Sequence, residues 1–261
     1  MPQIKLYIEK SLEENAGIYY DEAKKLRKKI EGAREALQHH YSKLNELEQK
    51  QEKLEEKQQK ILQQKQRKKE WYEKFRWFFS SEGFLCIGGR DATTNEIIIK
   101  KHTEKDDIIF HTDMAGSPFF VVKSDGSAPG KDTLQEAANA TASYSKAWQK
   151  GLATLGVFYV KPEQVSKKAQ SGEYLSKGSF VIRGKTNYSQ PEMKLAVGVQ
   201  NGMIIAGPVN AVKKHAEKFC IIVQGSEKTS DVAKKLQKKL GAGTLDEIIA
   251  MLPAGSSKVQ K

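Results

Sequence analysis

From residue 18 to residue 70 the chain holds no proline, a single glycine (Gly32) and a dense mixture of Lys, Glu and Gln. Steps of four and three residues run through Leu26, Ile30, Ala33, Leu37, His40, Leu44, Leu47, Gln51, Leu54, Gln58, Ile61 and Lys65, and eight of these twelve positions are apolar. That period puts one apolar stripe on one face and predicts a single coiled-coil helix about 75–80 Å long. The register passes through Gly32 unbroken, so a hairpin folding back on itself is not expected. A stripe on one long helix cannot cover itself. Leu26, Ile30, Ala33, Leu37, Leu44, Leu47, Leu54 and Ile61 are therefore the candidate partner-binding residues. Gln51, Gln58 and Lys65 weaken the stripe and predict looser or more selective pairing at that end. The competing reading is a solvated charged helix with no partner.

The composition changes at Trp71. Trp71, Tyr72, Phe75, Trp77, Phe78 and Phe79 form an aromatic cluster, and a mixed α/β pattern follows to about Leu252. Residues 84–89 read as a strand ending in a Gly-Gly turn. Residues 107–112 and 119–124 read as strands flanking a turn at Gly116, Ser117 and Pro118. Thr133 to Lys150 reads as a helix with Thr133 and Glu136 as capping box and Gly151 as its stop. Strands are expected at 155–160 and 179–184, and a hairpin at 195–207 around Asn201-Gly202. A short helix from Pro208, a strand at 219–223 and two closing helices complete the pattern. One closing helix runs from Ser230 to Gly241, and the other starts at the capping box Thr244…Glu247. The tail after Pro253 is expected to fray. Residues 95–103 are ambiguous: Ile97, Ile98 and Ile99 favour a strand, Thr94 as N-cap favours a helix.

The fold class is thus α+β: a long N-terminal coiled-coil helix followed by a mixed α/β globular domain. The expected divisions are an extension at 1–17, the arm at 18–70, a domain at 71–190 with an extension of the same domain at 191–252, and a flexible tail at 253–261. The 261 residues carry a net charge of +12, which makes a polyanionic partner plausible. The excess is diffuse, however. No apolar run approaches the length of a membrane span, and residues 1–30 lack a signal-peptide layout. A cytoplasmic protein is expected. Cys86 and Cys220 sit in apolar surroundings and read as reduced, buried thiols. No Cys or His pair has zinc-ligand spacing, and no P-loop, dinucleotide fingerprint or hydrolase triad is present, so neither metal nor cofactor is expected.

Two stretches could carry chemistry. Asp107, His111 and Asp113 alternate, so they could share a strand face as an acid/base set; the plainer reading is a strand-end histidine bonded to a carboxylate. Residues 174–188 interleave Tyr174, Phe180 and Tyr188 with Lys177, Arg183 and Lys185. Single-stranded RNA readers combine rings and cations in this way. A core strand with a solvated lysine face would look similar.

Residues 71–188 resemble the RNA-binding domain of the NFACT family, the factors of ribosome-associated quality control. The matching stretches are WYEKFRWFFSSEGFLCIGGRDATTNEIIIKKH, DDIIFHTDMAGS, QEAANATASYSKAW and VFYVKPEQVSKKAQSGEYLSKGSFVIRGKTNY. Residues 11–35 resemble the segment that opens the family's second coiled-coil arm, and GEYLSKGSF leading into the LAVG hairpin looks archaeal in type. Many relatives read Gly-Ser-His where this chain has Gly116-Ser117-Pro118. The resemblance shifts 95–103 towards helix. It implies a non-enzymatic RNA-binding subunit that meets the large ribosomal subunit blocked by peptidyl-tRNA, with tRNA and rRNA as partners. The candidate RNA-contacting residues are Arg90, Asp91, Asn95, Lys101, His111, Asp113, Arg183 and Lys185. Family members begin with an N-terminal domain and a first coiled-coil arm that this sequence does not contain. The expectation is a C-terminal half of a split factor, rejoined to a separate N-terminal half through the arm. A coiled-coil scaffold without direct RNA binding is the alternative, and an RNA-directed enzyme using Asp107, His111 and Asp113 is a third.

Overall fold

A computed structural model of the chain describes residues 4–66, 69–167 and 177–260. It is an α+β protein in two units, Met1–Arg67 and Lys68–Lys261. The first unit is dominated by one helix, α1 (Leu12–Gln66). The helix begins earlier than the boundary expected at residue 18, because Ser11 and Glu14 cap it reciprocally. The Glu14 N–H donates to Ser11 Oγ (3.1 Å) and the Ser11 N–H donates to Glu14 Oε2 (2.8 Å). Asn15 is buried and donates to the carbonyls of Tyr7, Lys10 and Ser11, tying the preceding segment to the first turn. The helix runs through Gly32 as the heptad pattern requires. Leu26, Ile30, Leu37, Leu44 and Leu47 remain 51–56% exposed along it, and Ala33 is exposed too. The side chains of Leu54 and Ile61 lie outside the described residues.

The second unit holds two main sheets. The first is assembled from β1 (Arg76–Phe79), β2 (Leu85–Gly88), β3 (Ile108–Thr112), β4 (Phe120–Val122), β5 (Val157–Val160) and a later strand, Asn187–Ser189, in the order β1-β2-β4-β3-β5 and then that strand, all antiparallel. Both faces are covered, which explains the near-continuous burial of these strands where an open antiparallel sheet would alternate. On one face α2 (Ala92–Lys101) packs Ile98 onto Phe75, Ile87, Ile109 and Val121. On the other, α3 (Lys131–Ser143) and the short α4 (Lys146–Gln149) pack alanines and Trp148 onto Phe78, Phe110, Phe120 and Val122. Two short strands, β6 (Val165–Ser166) and β7 (Val181–Ile182), pair beside this sheet, and Asn187–Ser189 is β8.

The second sheet pairs β9 (Lys194–Gln200), β10 (Met203–Gly207), β11 (Lys218–Glu227) and β12 (Ser257–Val259) in the order β10-β9-β11-β12. Asn201 and Gly202 take positive φ (49° and 75°) in the β9–β10 hairpin, as expected of a tight Asn-Gly turn. α6 (Thr229–Leu240) and α7 (Leu245–Met251) cover one face, and α5 (Val209–His215) the other.

Four local expectations are corrected. The tail after Pro253 does not fray: it forms β12, and the Trp148 indole N–H donates to Ser256 O and Ser257 Oγ (3.2 Å each). The helix at 133–150 is two helices, broken at Tyr144 and recapped by Ser145. Thr133 and Glu136 do not cap one another, because the Thr133 N–H donates to Glu82 Oε2 (3.0 Å) and the Ser81 N–H to Glu136 Oε2 (2.9 Å). The 95–103 helix is real, but Asp91 rather than Thr94 is its N-cap: the Asp91 carboxylate accepts from the Thr94 N–H at 2.8 Å.

Candidate nucleic-acid interface

A cleft of about 550 Å³ opens between the start of α2, the loop joining β3 to β4, and the segment leading into β7. Gly89 lines one wall, and Gly88 precedes it at the end of β2. A Cβ on Gly88 would overlap the Phe120 ring at 2.4 Å, and one on Gly89 would lie 1.8 Å from Asn95 Oδ1. These residues are therefore sites of close approach and not the tight turn their pairing suggested; neither takes positive φ. The chain then enters the capping loop. The N–H groups of Arg90 and Asp91 donate to Thr94 Oγ1 (2.8 and 2.9 Å). The bond from the Thr94 N–H holds the Asp91 carboxyl below the usual carboxylate range. Asn95 is buried and its Oδ1 accepts from the Phe119 N–H at 3.1 Å. It fastens α2 to the segment entering β4 while lining the cleft.

The opposite wall is the 112–118 loop. Gly116 takes φ +87°, and Thr112 Oγ1 and Ser117 Oγ share a hydrogen bond. His111 stacks on Phe119 with centroids 3.9 Å apart, and its Nε2 lies 3.2 Å from Ser117 O. Burial pushes the imidazole pKa down, so a neutral ring donating its Nε2–H to that carbonyl is the consistent form. Asp113 accepts from the Tyr188 hydroxyl at 3.2 Å.

The floor carries the cation that the sequence did not advertise. Arg76, on β1, lies 4.1 Å from the Tyr144 ring centroid. Burial lowers its pKa, and neighbouring Arg90 lowers it further. Its Nη1 is buried without a hydrogen-bond partner among the described residues. Arg90 is held beside it by a bond from Nη2 to Phe75 O (3.1 Å). Lys177 to Phe180 form the remaining wall. Gly178 (φ +80°) crosses the first residue of α2 so closely that a Cβ would sit 2.7 Å from that of Ala92. Phe180 meets Phe119 edge-on at 5.3 Å.

Of the eight expected RNA-contacting residues, Arg90, Asp91, Asn95, His111 and Asp113 line this cleft, whereas Lys101, Arg183 and Lys185 are not among its lining. The carbonyls of Arg183 and Lys185 accept from Gln164 Nε2 (2.9 Å each), which holds that strand in place. Arg76, Tyr144 and Phe119 were missed as site residues, whereas Phe180 falls in the ring-and-cation stretch at 174–188. An arginine embedded in the aromatic run Phe75–Phe79 was the available signal. The acid/base set does not assemble. Asp107 is buried in an ion pair with Lys123 (2.6 Å) and accepts from the N–H groups of Glu104 and Ser124. His111 instead bonds to Ser117. Among the described residues no group of three His, Cys, Asp or Glu could hold a metal ion, no helix is long and apolar enough to cross a membrane, and both cysteines are free.

Residues 74–184 match the NFACT protein RNA binding domain. The chain is 41% identical over 203 residues to the archaeal Rqc2 homolog aRqcH of Methanocaldococcus jannaschii, covering 75% of this chain and 30% of that protein. It is 43% identical over 182 residues to the human ribosome quality control complex subunit NEMF, covering 68% of this chain and 16% of the relative. The C-terminal structure of the fibronectin/fibrinogen-binding protein from Streptococcus suis is 19% identical with a TM-score of 0.38, covering 51% of this chain and 54% of that one. The chain therefore spans less than a third of the length of these two curated relatives.

Proposed function

The chain belongs to the NFACT family by its RNA-binding domain at residues 74–184, and we propose that it is a cytoplasmic RNA- and ribosome-binding subunit of ribosome-associated quality control. In this reading it acts on stalled large-subunit–peptidyl-tRNA complexes by binding and not by catalysis. The observation that carries the reading is the cleft. Every residue lining it, from Arg76 to Ile182, lies inside the matched segment, and it combines cations with an aromatic wall. Phosphates are met by cations and bases by rings, the two recognition elements of single-stranded RNA. The exposed stripe from Leu26 to Leu47 supports a second element of the proposal. It pairs with the coiled-coil arm of an N-terminal NFACT portion on a separate polypeptide, which brings in the remainder of the machinery.

The test is salt-dependent binding of short single-stranded RNA, with tRNA as a second ligand. Each phosphate contact releases counterions, so affinity should fall steeply with salt. Arg90→Glu together with Lys177→Glu, both in the cleft lining, is expected to abolish binding; unchanged affinity would place the RNA surface elsewhere. A scaffold without direct RNA contact is favoured by the same exposed stripe. It predicts that ribosome capture needs α1 but tolerates loss of the cleft.

A further inference from the structure

We propose that the cleft takes the phosphate of one unpaired ribonucleotide against Arg76, Arg90 and Lys177, with its base beside Phe180. The proposal deepens the RNA-binding reading and rests on it.

The central observation is the Arg76 guanidinium. Its Nη1 is buried without a hydrogen-bond partner among the described residues, at the floor of an open cleft. A buried charged donor left unsatisfied is costly, and in a folded protein that cost is normally offset by an anion or an acceptor. The carboxylates nearby are otherwise engaged. Asp91 caps α2 through Thr94, and Asp113 accepts from Tyr188. Tyr144 is a favourable partner of the guanidinium and Arg90 an unfavourable one. Two guanidiniums side by side, fixed by Tyr144 beneath one and Phe75 O behind the other, make a preorganised fork for phosphate oxygens. Lys177 adds a third cation from the rim.

The shape sets the class of ligand. A volume of about 550 Å³ lies within the usual range for small-ligand pockets and suits one nucleotide, not a duplex face. Gly89 and Gly178 narrow two sides, with side-chain or backbone atoms already where a Cβ would stand. An unpaired nucleotide can splay its base into such a slot, where Phe180 and the His111–Phe119 stack supply an apolar edge. A helical RNA would present its backbone at the rim but could not reach Arg76.

The experiment uses the full chain and three probes: a fluorescein-labelled short single-stranded RNA, the same sequence as a duplex, and uridine 3′-monophosphate as competitor. The variants are Arg76→Gln and the surface change Lys177→Gln, each checked by its thermal transition. Should Arg76→Gln fail to fold, Lys177→Gln alone decides. Lys177→Gln is expected to weaken single-strand binding by about threefold to tenfold, and Arg76→Gln by about tenfold or more. Duplex binding should change little, and the mononucleotide should displace the single strand from the wild-type chain. Single-strand affinity that is untouched in the folded variants overturns the site while leaving the RNA-binding reading intact. Equal losses on single strand and duplex also overturn it. Mononucleotide binding that Arg76→Gln removes, with no RNA bound at all, keeps the site and overturns the RNA-binding reading beneath it.

Discussion

The arm and the globular unit treat the same residue types in opposite ways. Along α1 the leucines at 26, 37, 44 and 47 stay more than half exposed, although they follow a strict four-three period. In the globular unit, Leu195, Ile222 and Leu236 are fully buried. A globular unit gains most of its stability from apolar area it buries itself. A long helix with one exposed stripe depends on intrinsic propensity until something covers that stripe. One unit thus covers its own apolar side chains, while the other leaves its stripe exposed.

Spectroscopy can separate the two. All three tryptophans, Trp71, Trp77 and Trp148, lie in the globular unit, so fluorescence follows that unit while α1 dominates far-UV dichroism. The largest expected effect is Asp107→Ala. It removes the 2.6 Å partner of Lys123, which is 6% exposed and keeps only Glu104 Oε1 and His102 O at 3.3 Å, and it unpairs the buried Ser124 N–H. Loss of about 3–5 kcal/mol in the fluorescence-detected denaturant transition is expected. Helix content from α1 should persist where the tryptophan signal is already lost. A single concordant loss would break the comparison.

Leu37→Lys is the reciprocal case. It should weaken partner pairing by about 1.5–3 kcal/mol, measured by sedimentation equilibrium with the partner, while the tryptophan transition stays unchanged. A fall in that transition would mean the stripe is not reserved for a partner.

Gly89→Ala forces a methyl group onto Asn95 Oδ1. It should cost about 1–3 kcal/mol in denaturant titration and loosen the cleft wall, lowering RNA affinity. Wild-type stability in this variant would show that α2 and the Phe119 strand are not clamped as described.

Mild acid gives the smallest effect. Burial pushes the pKa of His111 down, and His102 is shifted the same way by burial and by Lys74. The folded state then binds fewer protons than the unfolded chain just below the ordinary histidine pKa of about 6.5. The contribution is therefore full above that value and lost as pH falls towards the lowered one. Thermal melts at stepped pH should show this decline. His111→Phe should flatten part of it, and an unchanged slope would assign the decline elsewhere.

The sequence made the arm and most strands legible because period and turn chemistry are local. The four-three stripe, Asn201-Gly202, Thr244…Glu247 and Gly241 all act within a few residues of themselves. What it hid was non-local. Thr133 and Glu136 look like a capping box, but Glu82 and Ser81, from the β1–β2 turn, take their partners. The C-terminal residues look like a loose tail because nothing nearby announces the indole of Trp148 or the edge of β11. The candidate site was half legible. Arg90, Asp91, His111 and Asp113 fall in one cleft, while Arg76 was disguised by the aromatic strand around it. Lys101, Arg183 and Lys185 were chosen on charge, and charge alone does not say which way a side chain faces.

The most direct test of the division of labour is cosedimentation of the full chain with large ribosomal subunits bearing peptidyl-tRNA, across a salt series. Three proteins are compared: wild type, Arg76→Gln with Lys177→Gln, and Leu37→Lys. The expected result is salt-sensitive binding by wild type, marked loss for the cleft variant, and retained subunit binding but no partner recruitment for the arm variant. Equal binding by all three, insensitive to salt, would contradict the account.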